Sequence, residues 1–234
     1  MTAHAARARR VPPVRGQFRY TAVLLLLLVL LVFTILAPDA NWARALEPAL
    51  AGSALGVAVA TSRAKGEVRR LRVLVVTAVA LVVVVGVATG VFGLDLSFLV
   101  TTLLLAAVPV SLIGGLSRLT RDHGVTAQAV AGALAIYLAI GLLFGAAVAF
   151  VGAVQGEPYF KQTATATSGI PVYYSFTVLT TTGFGDYTPA TSVGHALAVL
   201  EMLTGQLYLV TVIGILVGNF AGRRMRSDPH AGNP

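Results

Sequence analysis

The sequence predicts an all-α membrane protein: six transmembrane helices, with one further short helix and loop that enter the membrane without crossing it. Three observations predict this. Of 234 residues, 56% are apolar and only 11% are charged, whereas a water-soluble domain carries about 25% charge. The uncharged residues gather into runs of 17 or more, close to the roughly 20 that cross a bilayer core as a helix. Fifteen of the 17 Lys and Arg fall in four short segments separated by pairs of those runs.

The first predicted span is Tyr20–Leu36, a Leu/Val block bounded by Arg19 and by Ala37, Pro38 and Asp39. The second, residues 46–62, is short and Ala/Gly-rich, so it either tilts little or draws Trp42 and Arg44 toward the interface. The third and fourth, residues 73–94 and 96–117, each hold 22 residues without Asp, Glu, Lys or Arg and are separated only by Asp95. Pro109 is expected to kink the fourth, because it lacks a backbone donor and clashes with the preceding turn. The fifth is residues 126–151, and the sixth is residues 192–220 with Glu201 as its only formal charge.

Basic residues accumulate in short cytoplasmic loops. Five Arg precede the first span, five Lys and Arg join the second to the third, Arg118 and Arg121 follow the fourth, and Arg223, Arg224 and Arg226 follow the sixth. Only Arg44 and Lys161 remain for the opposite face, so both termini are expected in the cytoplasm. A cleaved leader is the rival reading of the N-terminus; removing it would leave five spans and put the next basic loop on the wrong side. The net charge of +8 follows this topology and does not indicate a nucleic-acid partner. With no cysteine, thiol catalysis, disulfides and thiolate metal sites are excluded.

Residues 157–189 differ from the rest, being rich in Thr, Gly, Pro and Tyr and too broken to cross the membrane. Pro171 is a suitable first helical residue for a short helix of about ten residues that breaks at Gly183. Non-helical backbone at membrane depth is tolerated where it lines a water-filled path or is buried in protein. Gly183 and Gly185 alternate with Phe184, and because glycine adopts positive φ cheaply, successive carbonyls can point the same way. Such a column of oxygens can replace the hydration shell of a cation. The negative end of the preceding helix favours the same charge.

The run Thr180-Thr181-Thr182-Gly183-Phe184-Gly185-Asp186 resembles the signature of the tetrameric potassium channels, and the layout resembles a bacterial six-span channel with a two-span pore module. That family is itself the type case of carbonyl-ring selectivity. The resemblance implies a re-entrant pore helix and a selectivity filter, in which the carbonyls of Thr181, Thr182, Gly183 and Phe184 and the hydroxyl of Thr181 coordinate dehydrated potassium ions. Gly185 closes the motif. It implies a homotetramer, one loop from each copy, with no cofactor and with potassium as the permeant ligand. Asp186 matches the acidic residue just outside the filter, Tyr173 and Tyr174 an aromatic pair that cuffs it, and Gly205 the inner-helix hinge. Pro189 and Gly194 also fall in register. Phe184 stands where Tyr is commoner and lacks its hydroxyl; Thr177 stands where some relatives carry a Glu that pairs with the residue matching Asp186.

The implied division is a basic tail over 1–19, a charge-poor voltage-sensor-like module over 20–122, a pore domain over 123–222 and a short tail over 223–234. Sensing voltage requires several charges in a helix, since one charge crossing the field yields about 2.3 kcal/mol per 100 mV. The fourth run has none, so weak or absent voltage dependence is expected. A carboxyl within a span is a functional hypothesis by default. Glu201 can hydrogen-bond to the fifth helix or the pore helix, or line the ion path. Gly205 reads as a packing glycine or a hinge, and Gly214 and Gly218, four apart, as close helix packing or a constriction. His195 reads as an interfacial residue. The expected function is passive potassium conduction in a bacterial inner membrane, by a homotetramer among lipids, with a regulatory partner left open. The alternative is a non-conducting channel-like subunit. An enzyme or secondary transporter has no nucleophile–base set, metal ligands or inverted repeat to support it.

Overall fold

In the computed structural model the described residues are 20–38, 40–61, 74–75, 77–79, 81–82, 84–86, 89, 93–162 and 169–226. They form six labelled helices: α1 (Tyr20–Leu36), α2 (Asn41–Thr61), α3 (Leu94–His123), α4 (Ala127–Val154), α5 (Gly169–Leu179) and α6 (Ser192–Arg226). The described residues of 74–86 are also helical; the rest of the predicted third span lies outside the described residues. Among the described residues there is no strand, only an isolated antiparallel bridge between Phe160 and Pro189. Residues 95–121, 127–154 and 192–212 form three helices long and apolar enough to cross a membrane.

Several boundaries differ from the sequence expectation for identifiable reasons. The third and fourth runs part at Gly93, which is extended with ψ 164°, and not at Asp95. Asp95 falls in the first turn of α3, where a carboxylate faces the positive end of the helix dipole. α3 then runs past Ser117 to His123, carrying Arg118 and Arg121 within its last turns, and stops at Gly124 with φ 69°. The helix runs unbroken on both sides of Pro109. α2 begins at Asn41, five residues before the predicted start, and its Trp42 meets Phe33 of α1 edge-on at 6.3 Å. α6 continues six residues beyond the predicted end. Thr126 caps α4 by accepting the Ala129 N–H at 3.2 Å.

α4 is the hub, packed against α1, α3, α5 and α6. Between apolar helices in lipid, association rests on van der Waals fit and close approach, and the buried face of α4 is dominated by small residues such as Ala129, Gly132, Ala135, Ala139, Gly141 and Gly145. The glycines admit particular neighbours. A Cβ on Gly141 would lie 2.6 Å from the Phe176 ring, and one on Gly145 would lie 2.9 Å from the Val172 backbone. Both contacts are with α5, so they set how deeply that short helix seats. α1 buries Tyr20, Val23, Leu27, Leu30 and Thr34, a single stripe at alternating three- and four-residue spacing. Its other faces expose Leu25, Val29 and Val32.

Candidate functional site

α5 has 11 residues and so measures about 16 Å at 1.5 Å per residue, half of a hydrocarbon core. It ends at Leu179, not at Gly183 as expected. The reason is local: Thr181 adopts φ 57°, Gly183 φ 52° and Gly185 φ 80°. Left-handed residues thus alternate with right-side ones along residues 181–185, and the helix cannot continue through them. For glycine this conformation is cheap, but for the β-branched Thr181 it is an outlier of the kind that clusters at ligand sites.

The loop is tied to the helix it leaves. The Thr182 and Gly183 N–H groups both donate to the Thr177 carbonyl, at 2.9 and 3.0 Å, and the Thr181 N–H donates to Val178 at 2.9 Å. The Thr180 hydroxyl donates to the Phe176 carbonyl at 2.6 Å and lies 2.8 Å from the Thr182 hydroxyl. Residues 180–186 are exposed on the isolated chain, Phe184 at 68%.

The two tyrosines expected as one cuff take different positions. Tyr173 donates to Asp186 Oδ2 at 2.8 Å and stacks on Phe184 with centroids 6.4 Å apart and planes 3° apart. Tyr174 is buried on the other side, edge-on to Phe160 at 5.1 Å and to Tyr159 at 6.2 Å. Thr177 is buried and donates to the Tyr174 carbonyl at 2.8 Å. Asp186 Oδ1 accepts its neighbour's N–H, from Tyr187, at 3.1 Å.

Sequence reasoning missed the support supplied by the loop after α4. The Ala190 N–H donates to the Tyr159 carbonyl at 2.8 Å, the Lys161 N–H to Thr188 at 3.0 Å, and the Thr188 N–H to Gln162 Oε1 at 3.0 Å. Phe160 inserts between Tyr174 and Tyr187, 5.1 and 5.5 Å away. Burial raises the Tyr159 phenol well above its ordinary range, and its hydroxyl faces the Gly194 carbonyl at 3.4 Å. Only the aromatic density of residues 157–189 hinted at this cluster.

Behind α5 lies α6, whose buried face is Gly194, Ala198, Glu201 and Gly205. Glu201 is 0% exposed and hydrogen-bonded to Ser175 of α5. A Cβ on Gly205 would lie 2.5 Å from the Leu179 carbonyl, so this glycine admits the end of α5 against α6. Gly214 has open space around it on the isolated chain, and Gly218 lies within the helix. His195 is exposed, its Nδ1 2.8 Å from the Thr191 carbonyl. Tyr208 donates to the Ala133 carbonyl at 2.6 Å and stacks on Tyr137 at 5.8 Å. Among the described residues no group of His, Cys, Asp and Glu is arranged to hold a metal ion.

Fold and site together define a class, a helical membrane protein whose C-terminal half presents an ordered loop beside long apolar helices. Residues 135–221 match a family model described as "Ion channel". That stretch contains most of α4, all of α5, the loop and nearly all of α6, and over it the chain is similar to an ion channel. No curated protein matches the chain.

Proposed function

We propose that the chain is one subunit of a homotetrameric potassium-selective channel in which α5 is a re-entrant pore helix, residues 181–185 are the filter and α6 lines the inner pore. The observation that carries the reading is the alternation of left-handed residues at Thr181, Gly183 and Gly185, with the Thr181, Thr182 and Gly183 amides bonded backward to Val178 and Thr177. Amides spent on the helix leave carbonyls free for a cation. Thr181, Thr182, Gly183 and Phe184 supply those oxygens, with the Thr181 hydroxyl below them, and no cofactor takes part. Successive sites of this kind bind ions strongly enough to dehydrate them and weakly enough to release them. Four copies are proposed because one loop leaves the ion exposed on its remaining sides.

The same copies account for α6, which exposes Val193, Val199, Leu200, Leu203 and Leu207 opposite its buried face. Asp186, held by Tyr173, sits at the outer mouth. The proposed setting is a bacterial inner membrane with both termini cytoplasmic. Potassium flux from loaded liposomes containing the purified protein tests the reading. Flux is expected from the wild type and lost in Gly183→Ala and Gly185→Ala; potassium selectivity that survives both substitutions would overturn it.

A further inference from the structure

Three oxygens meet between α4, α5 and α6 with too few protons unless Glu201 brings one. Ser175 Oγ lies 2.6 Å from the Gly141 carbonyl oxygen of α4 and is also hydrogen-bonded to Glu201 Oε1 of α6. A serine hydroxyl has one hydrogen, and a carbonyl can only accept. The hydrogen of Ser175 therefore goes to Gly141, and the hydrogen between Ser175 and Glu201 must come from the carboxyl. Were Glu201 ionised, Ser175 would have to turn toward it, leaving two lone-pair oxygens in contact at Gly141. The other carboxyl oxygen, Oε2, is buried with no hydrogen-bond partner among the described residues, a poor setting for a carboxylate. Ser175 and Glu201 are both 0% exposed.

We propose that Glu201 is a proton-bearing positioning residue: as the neutral acid it donates to Ser175 Oγ, which donates to the Gly141 carbonyl, and this relay fixes α5 between the outer and inner helices. The link from α5 to conduction rests on the channel reading above; the protonation state does not. The titratable groups facing Glu201 are Tyr137 from α4, Tyr174 from α5 and Tyr159 from the loop after α4. All three are neutral phenols at physiological pH and offer no cation to hold a carboxylate. Loss of the proton removes the hydrogen bond between α6 and α5 and adds a buried charge beside the pore helix. Gln at the same position donates from Nε2 and keeps the relay at every pH.

The test combines infrared spectroscopy of protein labelled with carboxyl-carbon-13 glutamate and potassium flux across a pH series. The expected result is a label-sensitive protonated-carboxyl band at neutral pH that disappears in Glu201→Gln, together with wild-type flux that is lost on alkalinisation and a flat profile in Glu201→Gln. If Glu201→Gln does not fold, the triple variant Glu47→Gln, Glu67→Gln, Glu157→Gln leaves Glu201 as the sole glutamate, and the band should persist there. Absence of the band, or its survival in Glu201→Gln, overturns the neutral acid. The same alkaline loss in wild type and Glu201→Gln overturns the coupling to conduction, whereas an intact band in a protein without flux leaves the relay standing and refutes only the channel reading.

Discussion

At the scale of single residues, the loop over 181–185, the proposed filter, concentrates unfavourable backbone in a short stretch and holds it with hydrogen bonds. An alanine at Gly183 or Gly185 has to adopt the left-handed region, which disfavours an L-residue by roughly 1–2 kcal/mol each. Neither Cβ meets another atom within 4 Å, so the effect should fall on loop geometry with little change in packing. The expectation is lost potassium flux with assembly retained, checked by flux and size-exclusion chromatography on the same preparations. Tyr173→Phe tests the support outside the filter. It removes the bond to Asp186 while leaving the ring stacked on Phe184, so sodium permeability relative to potassium should rise, and Asp186→Asn in the same background should add little. Such non-additivity is the signature of a shared interaction.

At the scale of elements, the seating of α5 against α4 and α6 depends on glycines that leave room for it. Gly205→Ala puts a methyl 2.5 Å from the Leu179 carbonyl and should destabilise the subunit by about 1–3 kcal/mol, the usual range for overpacking. Gly56→Ala in α2 meets nothing within 4 Å and should stabilise it by about 0.5–1 kcal/mol through helix propensity; thermal unfolding in detergent reads both. Opposite signs would separate steric seating from a general intolerance of alanine. α3 supports a different prediction: with no charge between residues 96 and 117, the conductance should change little with voltage. A steep conductance–voltage curve would contradict that. The long apolar helices α3, α4 and α6 were legible because uncharged runs of that length mark them directly. The boundary at Gly93 was not, because a lone Asp95 reads equally as a break and as a favourable first-turn residue. Nor was the division of labour between Tyr173 and Tyr174, adjacent on a helix and therefore about 100° apart around it. The positive φ at Thr181 was hidden for another reason, since threonine carries no signal for that conformation. Ser175 did not stand out, since Tyr174 and Thr177 also carry hydroxyls on the buried face of α5, and Glu201 could be singled out as a carboxyl within a span, with the short helix among its candidate partners, but not paired with a particular residue.

At the scale of the whole molecule, the isolated chain exposes polar backbone and an apolar helix face together. Residues 180–186 are exposed, and α6 turns an apolar stripe outward in which Leu207 is 66% exposed. Lipid could cover the stripe, but polar carbonyls in a loop beside it need ions, water or further protein. Four copies meeting at the proposed filter would satisfy both surfaces, and native mass spectrometry should therefore give a tetramer as the dominant species. Potassium selection by this loop can be read from the reversal potential of the purified protein in a planar bilayer with potassium on one side and sodium on the other. A reversal potential close to the potassium limit is expected; a reversal near zero, with current present, would mean that the loop does not discriminate between the two ions.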